Sequence, residues 1–102
     1  MGRKILVVDD SKFTRKMVAL PLGQDGHEVL TAEEPNAALE MIKSNAPDLI
    51  ITDLKMPSLV DGLGFLKVLS LDNPHIPVLV YSADPNPKDT VGETGLHYIK
   101  FM

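Results

Sequence analysis

The chain has 102 residues, a formal net charge of −4 and no cysteine. This length suits one domain with a single core and is too short for two. The lack of cysteine excludes disulfides, thiolate metal sites and a cysteine nucleophile. The ten basic residues form no run, which argues against binding to nucleic acid. No apolar stretch approaches the roughly 20 residues that span a bilayer, and no signal-peptide pattern is present. We therefore expect a cytoplasmic protein with no membrane anchor.

The first elements are an aliphatic strand and an amphipathic helix. Ile5–Val8 is a short aliphatic run, which is typical of a strand buried on both faces of a parallel sheet. Ser11–Leu22 follows with helical periodicity, and Phe13, Met17 and Leu20 share one face of the predicted helix.

The next three elements repeat this alternation. Glu28–Ala32 is the predicted second strand, and a helix begins at Pro35, which suits the first turn of a helix. That helix runs to about Asn45, and Asp48–Thr52 is the third strand. The predicted buried side of the helix consists of Ala38, Leu39 and Ile42.

The remaining elements are less regular. A third helix is predicted from a cap at Asp61-Gly62 through Leu71, with an inward face of Phe65, Leu66 and Leu69. After it we expect a strand at Ile76–Tyr81, a short helix that begins at Asp84-Pro85 and ends at Gly92, and a last strand at Leu96–Lys100. Strands that alternate with helices predict a doubly wound parallel α/β sheet with right-handed crossovers.

Polar residues follow the strands of this predicted sheet. Asp9 and Asp10 follow the first strand, Asp53 follows the third, and Ser82 and Lys100 stand at the ends of the fourth and fifth. The carboxyl ends of parallel strands meet at one edge, where open α/β sheets bind their ligands. Three acids there repel one another unless a cation lies between them. Asp9 or Asp10 alone is more often a helix N-cap, and one of them can partly serve as one, but the three acids together favour a metal.

Five segments carry a family resemblance: KILVVDDS (4–11), PDLIITDLKMP (47–57), DG (61–62), IPVLVYSA (76–83) and YIK (98–100). In this order and spacing, they make the chain resemble the receiver domains of two-component response regulators, particularly the chemotaxis-type single-domain receivers. The resemblance covers nearly the whole chain. It implies a flavodoxin-like fold, with a five-stranded sheet in the order 2-1-3-4-5.

The resemblance also implies roles for individual residues. Asp53 would be the phosphoacceptor, Ser82 the switch hydroxyl, and Lys100 the lysine that contacts the phosphoryl group. The implied ligands of Mg²⁺ are Asp9, Asp10, Asp53 and the backbone carbonyl of Lys55. A sensor histidine kinase or a phosphotransfer protein would donate the phosphoryl group in a phosphorelay, usually docking on the first helix. Such a protein is a signalling phosphoacceptor rather than an enzyme, and assists only its own phosphorylation and dephosphorylation.

The chain departs from the family pattern at its C-terminal end. Phe101 follows Lys100 where the family usually has proline and then a fifth helix. We therefore expect a single receiver domain over residues 1–102, truncated at the C-terminus relative to the family, with a short fourth helix and no fifth. Apolar residues of the first, fourth and fifth strands would then lie open. A homodimer, most simply with twofold symmetry, or another partner would cover them.

Other functions compete with the phosphoacceptor. The thin fourth helix and absent fifth helix favour a degenerate receiver that acts as a phosphorylation-independent interaction or dimerisation module. The complete acid set, with Ser82 and Lys100, favours the phosphoacceptor. A flavodoxin-like cofactor binder is disfavoured because no phosphate-binding loop follows the first strand. A haloacid-dehalogenase-type phosphatase is disfavoured because Lys55, and not an acid, stands two residues after Asp53.

Overall fold

The computed structural model describes residues 2–53, 59–72, 75–81 and 99–101; for residues 59–63, 70, 81 and 99–101 it describes the backbone only. In chain order the elements are β1 (Lys4–Val8), α1 (Lys12–Gln24), β2 (Glu28–Ala32), α2 (Pro35–Asn45), β3 (Leu49–Asp53), α3 (Leu59–Asp72), β4 (Val78–Tyr81) and β5 (Ile99–Phe101). The predicted short helix between Asp84 and Gly92 lies outside the described residues.

The strands form one five-stranded sheet in the order β2-β1-β3-β4-β5. Every neighbouring pair is parallel. This arrangement confirms the predicted doubly wound α/β fold and its strand order. The neighbouring interior strands β1 and β3 contribute buried side chains to both faces of the sheet, which explains why their sequences are almost continuously aliphatic.

The larger core lies between the sheet and the pair α2 and α3. Leu6, Ile50 and Val80 point to this side from three different strands and are completely buried. The predicted inward residues of α3, namely Phe65, Leu66 and Leu69, are confirmed as members of this core. In α2, Ala38 and Ile42 are buried and Leu39 packs partly against them, as the periodicity predicts.

The other face of the sheet carries α1 and a smaller core. Ile5, Val7 and Ile51 are buried there, and Val18 and Leu22 of α1 pack against them. The expectation that apolar residues of β1 lie open is therefore wrong, because Ile5 and Val7 are buried beneath side chains that include those of α1. In β4, Leu79 is half-buried, and the side chains of β5 lie outside the description.

The face of α1 that the sequence pattern marks as apolar is turned to solvent. Phe13, Met17 and Leu20 are 73%, 59% and 64% exposed. No residue of α1 is fully buried, and Pro21 lies inside the helix near its end. We call these three side chains the α1 stripe.

The start of α3 differs from the prediction. The helix begins at Leu59, two residues before Asp61, so the prediction that Asp61 caps it is wrong. An N-cap residue has non-helical backbone angles, and Asp61 lies within the helix. Neither Leu59 nor Val60 is a glycine or proline, so both residues can be helical and the helix can begin before Asp61. In the first turn of α3, an acid is still favoured by the helix dipole.

Among the helices that the structure describes, none is both long and apolar enough to cross a membrane.

Candidate functional site

Three carboxylates meet at the carboxyl edge of the sheet. Asp9 and Asp10 follow β1, and Asp53 is the last residue of β3. One carboxylate oxygen from each residue lies within 4.8 Å of the other two. Because β1 and β3 are adjacent parallel strands, the sheet itself brings the acids together. The predicted juxtaposition of these three residues is therefore present in the fold.

Exposure is graded across the cluster. Asp9 is 3% exposed, Asp53 is half-buried and Asp10 is exposed. The innermost acid is thus held by protein, while the outermost acid faces water. Asp53 lies between these extremes, which leaves its carboxylate reachable from solvent.

The loop after β1 is held by several hydrogen bonds around Asp9. Its backbone N–H donates to the carbonyl of Ala32 on β2, at 3.1 Å. Its Oδ1 accepts from the backbone N–H of Ser11, at 2.8 Å. The Arg15 Nη1 donates to its backbone carbonyl, at 2.6 Å. The position of Asp9 is therefore set through its backbone and its side chain together.

Ser11, and neither acid, is the N-cap of α1. Its Oγ accepts from the backbone N–H of Thr14 at 3.3 Å, which satisfies one of the unpaired donors of the first turn. The suggestion that Asp9 or Asp10 partly serves as this cap is therefore wrong. The serine leaves Asp10 outside the capping arrangement.

At the end of β3, the Thr52 hydroxyl donates to the backbone carbonyl of Asp53 at 3.0 Å. Thr52 is 1% exposed, so its hydroxyl needs a hydrogen-bond partner within the protein. This contact helps to fix the backbone that carries Asp53. The sequence reasoning missed the contacts of both Arg15 and Thr52, because nothing in a local pattern indicates which carbonyl a side chain will reach.

The cluster concentrates negative charge and suits a hard cation. Two unit charges about 4 Å apart repel by about 4 kcal/mol at the effective dielectric constant of about 20 that is typical near a protein surface. A divalent cation removes this cost, and carboxylate oxygens are the ligands that Mg²⁺ prefers, usually together with several waters. The donor set therefore fits Mg²⁺.

The other predicted site residues are Lys55, Ser82 and Lys100. Lys55 and Ser82 lie outside the described residues. Lys100 lies in β5 with its Cα opposite Leu79 of β4, and only its backbone is described. The backbone thus puts Lys100 on the same sheet as the acids, two strands away from Asp53.

A parallel sheet in this order, with three acids at its carboxyl edge, is the arrangement that the resemblance to receiver domains implies. The sequence matches the response regulator receiver domain family over residues 5–99, and the chain belongs to that family. Receiver domains take phosphoryl groups from sensor histidine kinases and bind Mg²⁺ at their acidic pocket.

Individual relatives agree with this assignment. The chain is 38% identical to a protein-glutamate methylesterase/protein-glutamine glutaminase of Anaeromyxobacter dehalogenans. The aligned region covers 98% of this chain and 27% of that protein. It is also 38% identical to the response regulator MprA of Mycobacterium ulcerans. That alignment covers 91% of this chain and 38% of MprA. Its fold matches the chemotaxis response regulator CheY4 of Vibrio cholerae with a TM-score of 0.83 and 30% identity, covering 97% of this chain and 85% of that one.

The chain spans about a quarter to two fifths of the length of these two curated relatives. The methylesterase activity in one relative's name therefore belongs to a protein most of whose length lies outside the aligned region. Receiver domains themselves are generally non-enzymatic signalling modules.

Proposed function

We propose that Asp53 accepts a phosphoryl group from the phosphohistidine of a sensor histidine kinase or a phosphotransfer protein, in a reaction that requires Mg²⁺. The observation that carries this proposal is the cluster of Asp9, Asp10 and Asp53, with one carboxylate oxygen from each within 4.8 Å of the others. Of the three, Asp53 stands at the end of a central strand and is half-buried, so it is both held and reachable.

The reaction transfers the phosphoryl group between two nucleophiles. A carboxylate oxygen of Asp53 forms a bond to phosphorus, while the bond from phosphorus to the histidine nitrogen breaks. The electron pair of that bond stays on the imidazole ring, and the product is an aspartyl phosphate. Both reactants are negatively charged, so their approach requires positive charge at the site.

This chain's residues would supply that positive charge in two ways. Asp9, Asp10, Asp53 and the carbonyl of Lys55 would hold Mg²⁺, which neutralises charge on the phosphoryl oxygens when bound. The ammonium of Lys100 would contact the same oxygens from β5. The Ser82 hydroxyl would turn toward the new acceptor oxygens of the aspartyl phosphate and report its presence. The chain thereby assists its own phosphorylation and dephosphorylation and acts on no other substrate.

The α1 stripe supports docking of the phosphoryl donor beside the acids. It begins two residues after Ser11, the cap that adjoins the acid loop, and exposes three large apolar side chains. Next to it lies a shallow apolar groove of about 500 Å³, lined by Lys16, Ala19, Leu20, Gly23 and Gln24. An apolar surface of this kind suits an apolar helical face on the donor.

Phosphorylation by acetyl phosphate tests the assignment of Asp53. Wild-type protein incubated with acetyl phosphate and Mg²⁺ should gain the mass of one phosphoryl group by intact mass spectrometry, and Asp53→Asn should not. Asp25→Asn, which alters an exposed acid at the end of α1, is the matched control and should behave as wild type. Mg²⁺-dependent binding of beryllofluoride, a mimic of the phosphoryl group on Asp53, gives a second readout.

The alternative function makes the opposite prediction. A phosphorylation-independent interaction module would neither react with acetyl phosphate nor bind Mg²⁺, in the wild type as well as in the variants. Phosphorylation of Asp53→Asn to the wild-type extent would instead place the phosphoacceptor at another residue.

A further inference from the structure

The side chain of Arg15 ties α1 to the loop that carries two of the three acids. Arg15 lies in the first turn of α1, where its backbone N–H donates to the Ser11 carbonyl at 3.0 Å. Its side chain reaches back along the chain, and Nη1 donates to the Asp9 carbonyl at 2.6 Å. A short bond from a guanidinium is charge-assisted and stronger than a bond between neutral groups.

The Asp9 carbonyl lies at the point where the chain leaves the sheet. The N–H of Asp9 still bonds to Ala32 on β2, so β1 pairs up to this residue. With Asp9 only 3% exposed, its polar backbone groups need partners inside the protein. Arg15 provides one for the carbonyl, at the point where the chain turns toward Asp10.

The contact uses the face of α1 that packs on the sheet. Arg15, Val18 and Leu22 follow the spacing i, i+3, i+7, which places them on one side of a helix. Val18 and Leu22 pack against the smaller core. The packing that holds α1 on the sheet therefore also holds the guanidinium against the Asp9 carbonyl.

We infer that Arg15 is a positioning residue for the metal site: through the Asp9 carbonyl it fixes the turn that directs the carboxylates of Asp9 and Asp10 toward Asp53. Mg²⁺ demands near-ideal octahedral geometry, so its affinity falls when ligands are displaced. Loss of groups that orient metal ligands typically lowers metal affinity by about 10–100-fold. This inference rests on the proposed function, because it assumes that the three acids bind Mg²⁺.

Positioning and simple charge predict opposite effects when Arg15 is replaced. The guanidinium also brings a positive charge to the acid loop, and removing that charge by itself would tighten cation binding. If Arg15 positions the loop, Arg15→Met should weaken Mg²⁺ binding at least about 10-fold. If Arg15 acts by charge alone, the same variant should bind Mg²⁺ more tightly than wild type. The direction of the change therefore separates the two roles.

The experiment measures metal affinity without phosphorylation. Binding of Mn²⁺, as a paramagnetic substitute, is followed by electron paramagnetic resonance, and Mg²⁺ affinity is obtained by competition. Lys16→Met is the matched control, since it removes one positive charge from the neighbouring, exposed position of the same helix. Arg15→Lys keeps the charge and a donor while losing the planar fork, and should recover part of the affinity that Arg15→Met loses.

The outcomes separate this inference from the proposed function. Weaker binding in Arg15→Met, partial recovery in Arg15→Lys and no change in Lys16→Met support the positioning role. Unchanged or tighter binding in Arg15→Met, while wild type binds Mg²⁺ normally, overturns it. Absence of Mg²⁺ binding in wild type overturns the proposed function itself. Should Arg15→Met fail to fold by circular dichroism, the affinity of Arg15→Lys decides: a value equal to that of wild type overturns the role, and a weaker one supports it.

Discussion

Val8 and Thr52 are Cα partners in the parallel register of β1 and β3. Each is followed directly by an acid, Asp9 in one strand and Asp53 in the other. The register therefore delivers the two carboxylates side by side at the same level of the sheet. A shift of one residue in either strand would turn the alternate side chains to the opposite face and separate the acids.

The repulsion within the acid cluster leads to a prediction about stability. Asp10→Asn should raise the free energy of unfolding in metal-free buffer, because it removes one of three charges that repel one another. The same variant should lose the stabilisation that Mg²⁺ gives wild type, which is about 2.7 kcal/mol at a free concentration 100 times the Kd. Thermal unfolding with and without Mg²⁺ checks both effects.

Asp25→Asn is the control for that comparison, since it removes an exposed charge outside the cluster. It should keep the full response to Mg²⁺. An Asp10→Asn protein that is still stabilised by Mg²⁺ to the wild-type extent would show that Asp10 is not a ligand.

The α1 stripe leads to a prediction about donor docking. Phe13→Ser should slow phosphoryl transfer from a histidine kinase, chosen by its transfer to the wild-type chain, by about 10-fold or more, as expected for an apolar anchor of an interface. The rate with acetyl phosphate should stay unchanged, because this small donor needs no docking surface. Leu71→Ser, at a 79% exposed position of α3, is the matched control and should leave both rates unchanged.

Sedimentation of the same Phe13→Ser variant tests self-association through the stripe. If wild type is a dimer and Phe13→Ser a monomer, while transfer from the kinase is unaffected, the α1 stripe is a contact between copies of the chain and not a docking site for the donor.

Pro21 leads to a prediction about the stability of α1. Proline has no N–H, so the bond that residue 21 of a continuous helix would donate to the Met17 carbonyl cannot form. Pro21→Ala restores that donor and should raise the free energy of unfolding by about 1–3 kcal/mol, measured by urea denaturation. Pro35→Ala is the control, because Pro35 stands in the first turn of α2, where no helical bond is lost. A gain of equal size in both variants would contradict the explanation.

The end of α2 leads to a fourth prediction. Ala46 closes that helix in the left-handed region, with φ 46° and ψ 66°, and its N–H donates to the Ile42 carbonyl at 3.0 Å. Left-handed angles cost a residue with a Cβ about 1–2 kcal/mol. Ala46→Gly should therefore raise the free energy of unfolding by about 0.5–1 kcal/mol. This value already subtracts the entropic cost of ordering glycine, which is more flexible than alanine in the unfolded chain.

The matched variant for Ala46 introduces glycine inside the helix. Ser44→Gly, at an exposed position of the last turn, should lower the free energy of unfolding by about 0.5 kcal/mol. Chemical denaturation of both variants should give changes of opposite sign. A loss of stability in Ala46→Gly would show that the left-handed angles impose no strain.

Features that depend on local sequence were predicted correctly, and features that depend on contacts between distant residues were not. The aliphatic strands and the acids that follow them were correctly predicted, because burial on both faces and the polarity of a strand end are local properties of the sequence. The start of α3 was wrong by two residues, since an apparent cap at Asp61 is a local signal that the longer helix overrides. The contact between Arg15 and the Asp9 carbonyl joins residues that no motif relates.

The sequence by itself determined the strands, the strand order through family resemblance, and the position of Asp9, Asp10 and Asp53 at one edge of the sheet. Only the tertiary structure decided how α1 is rotated. The helix offers two sets of apolar residues, and the periodicity alone marks Phe13, Met17 and Leu20. The sheet instead buries the side with Val18 and Leu22, because the short loop from Asp9 to the Ser11 cap fixes where the helix begins. That rotation leaves the α1 stripe in solvent and turns Arg15 toward the acid loop.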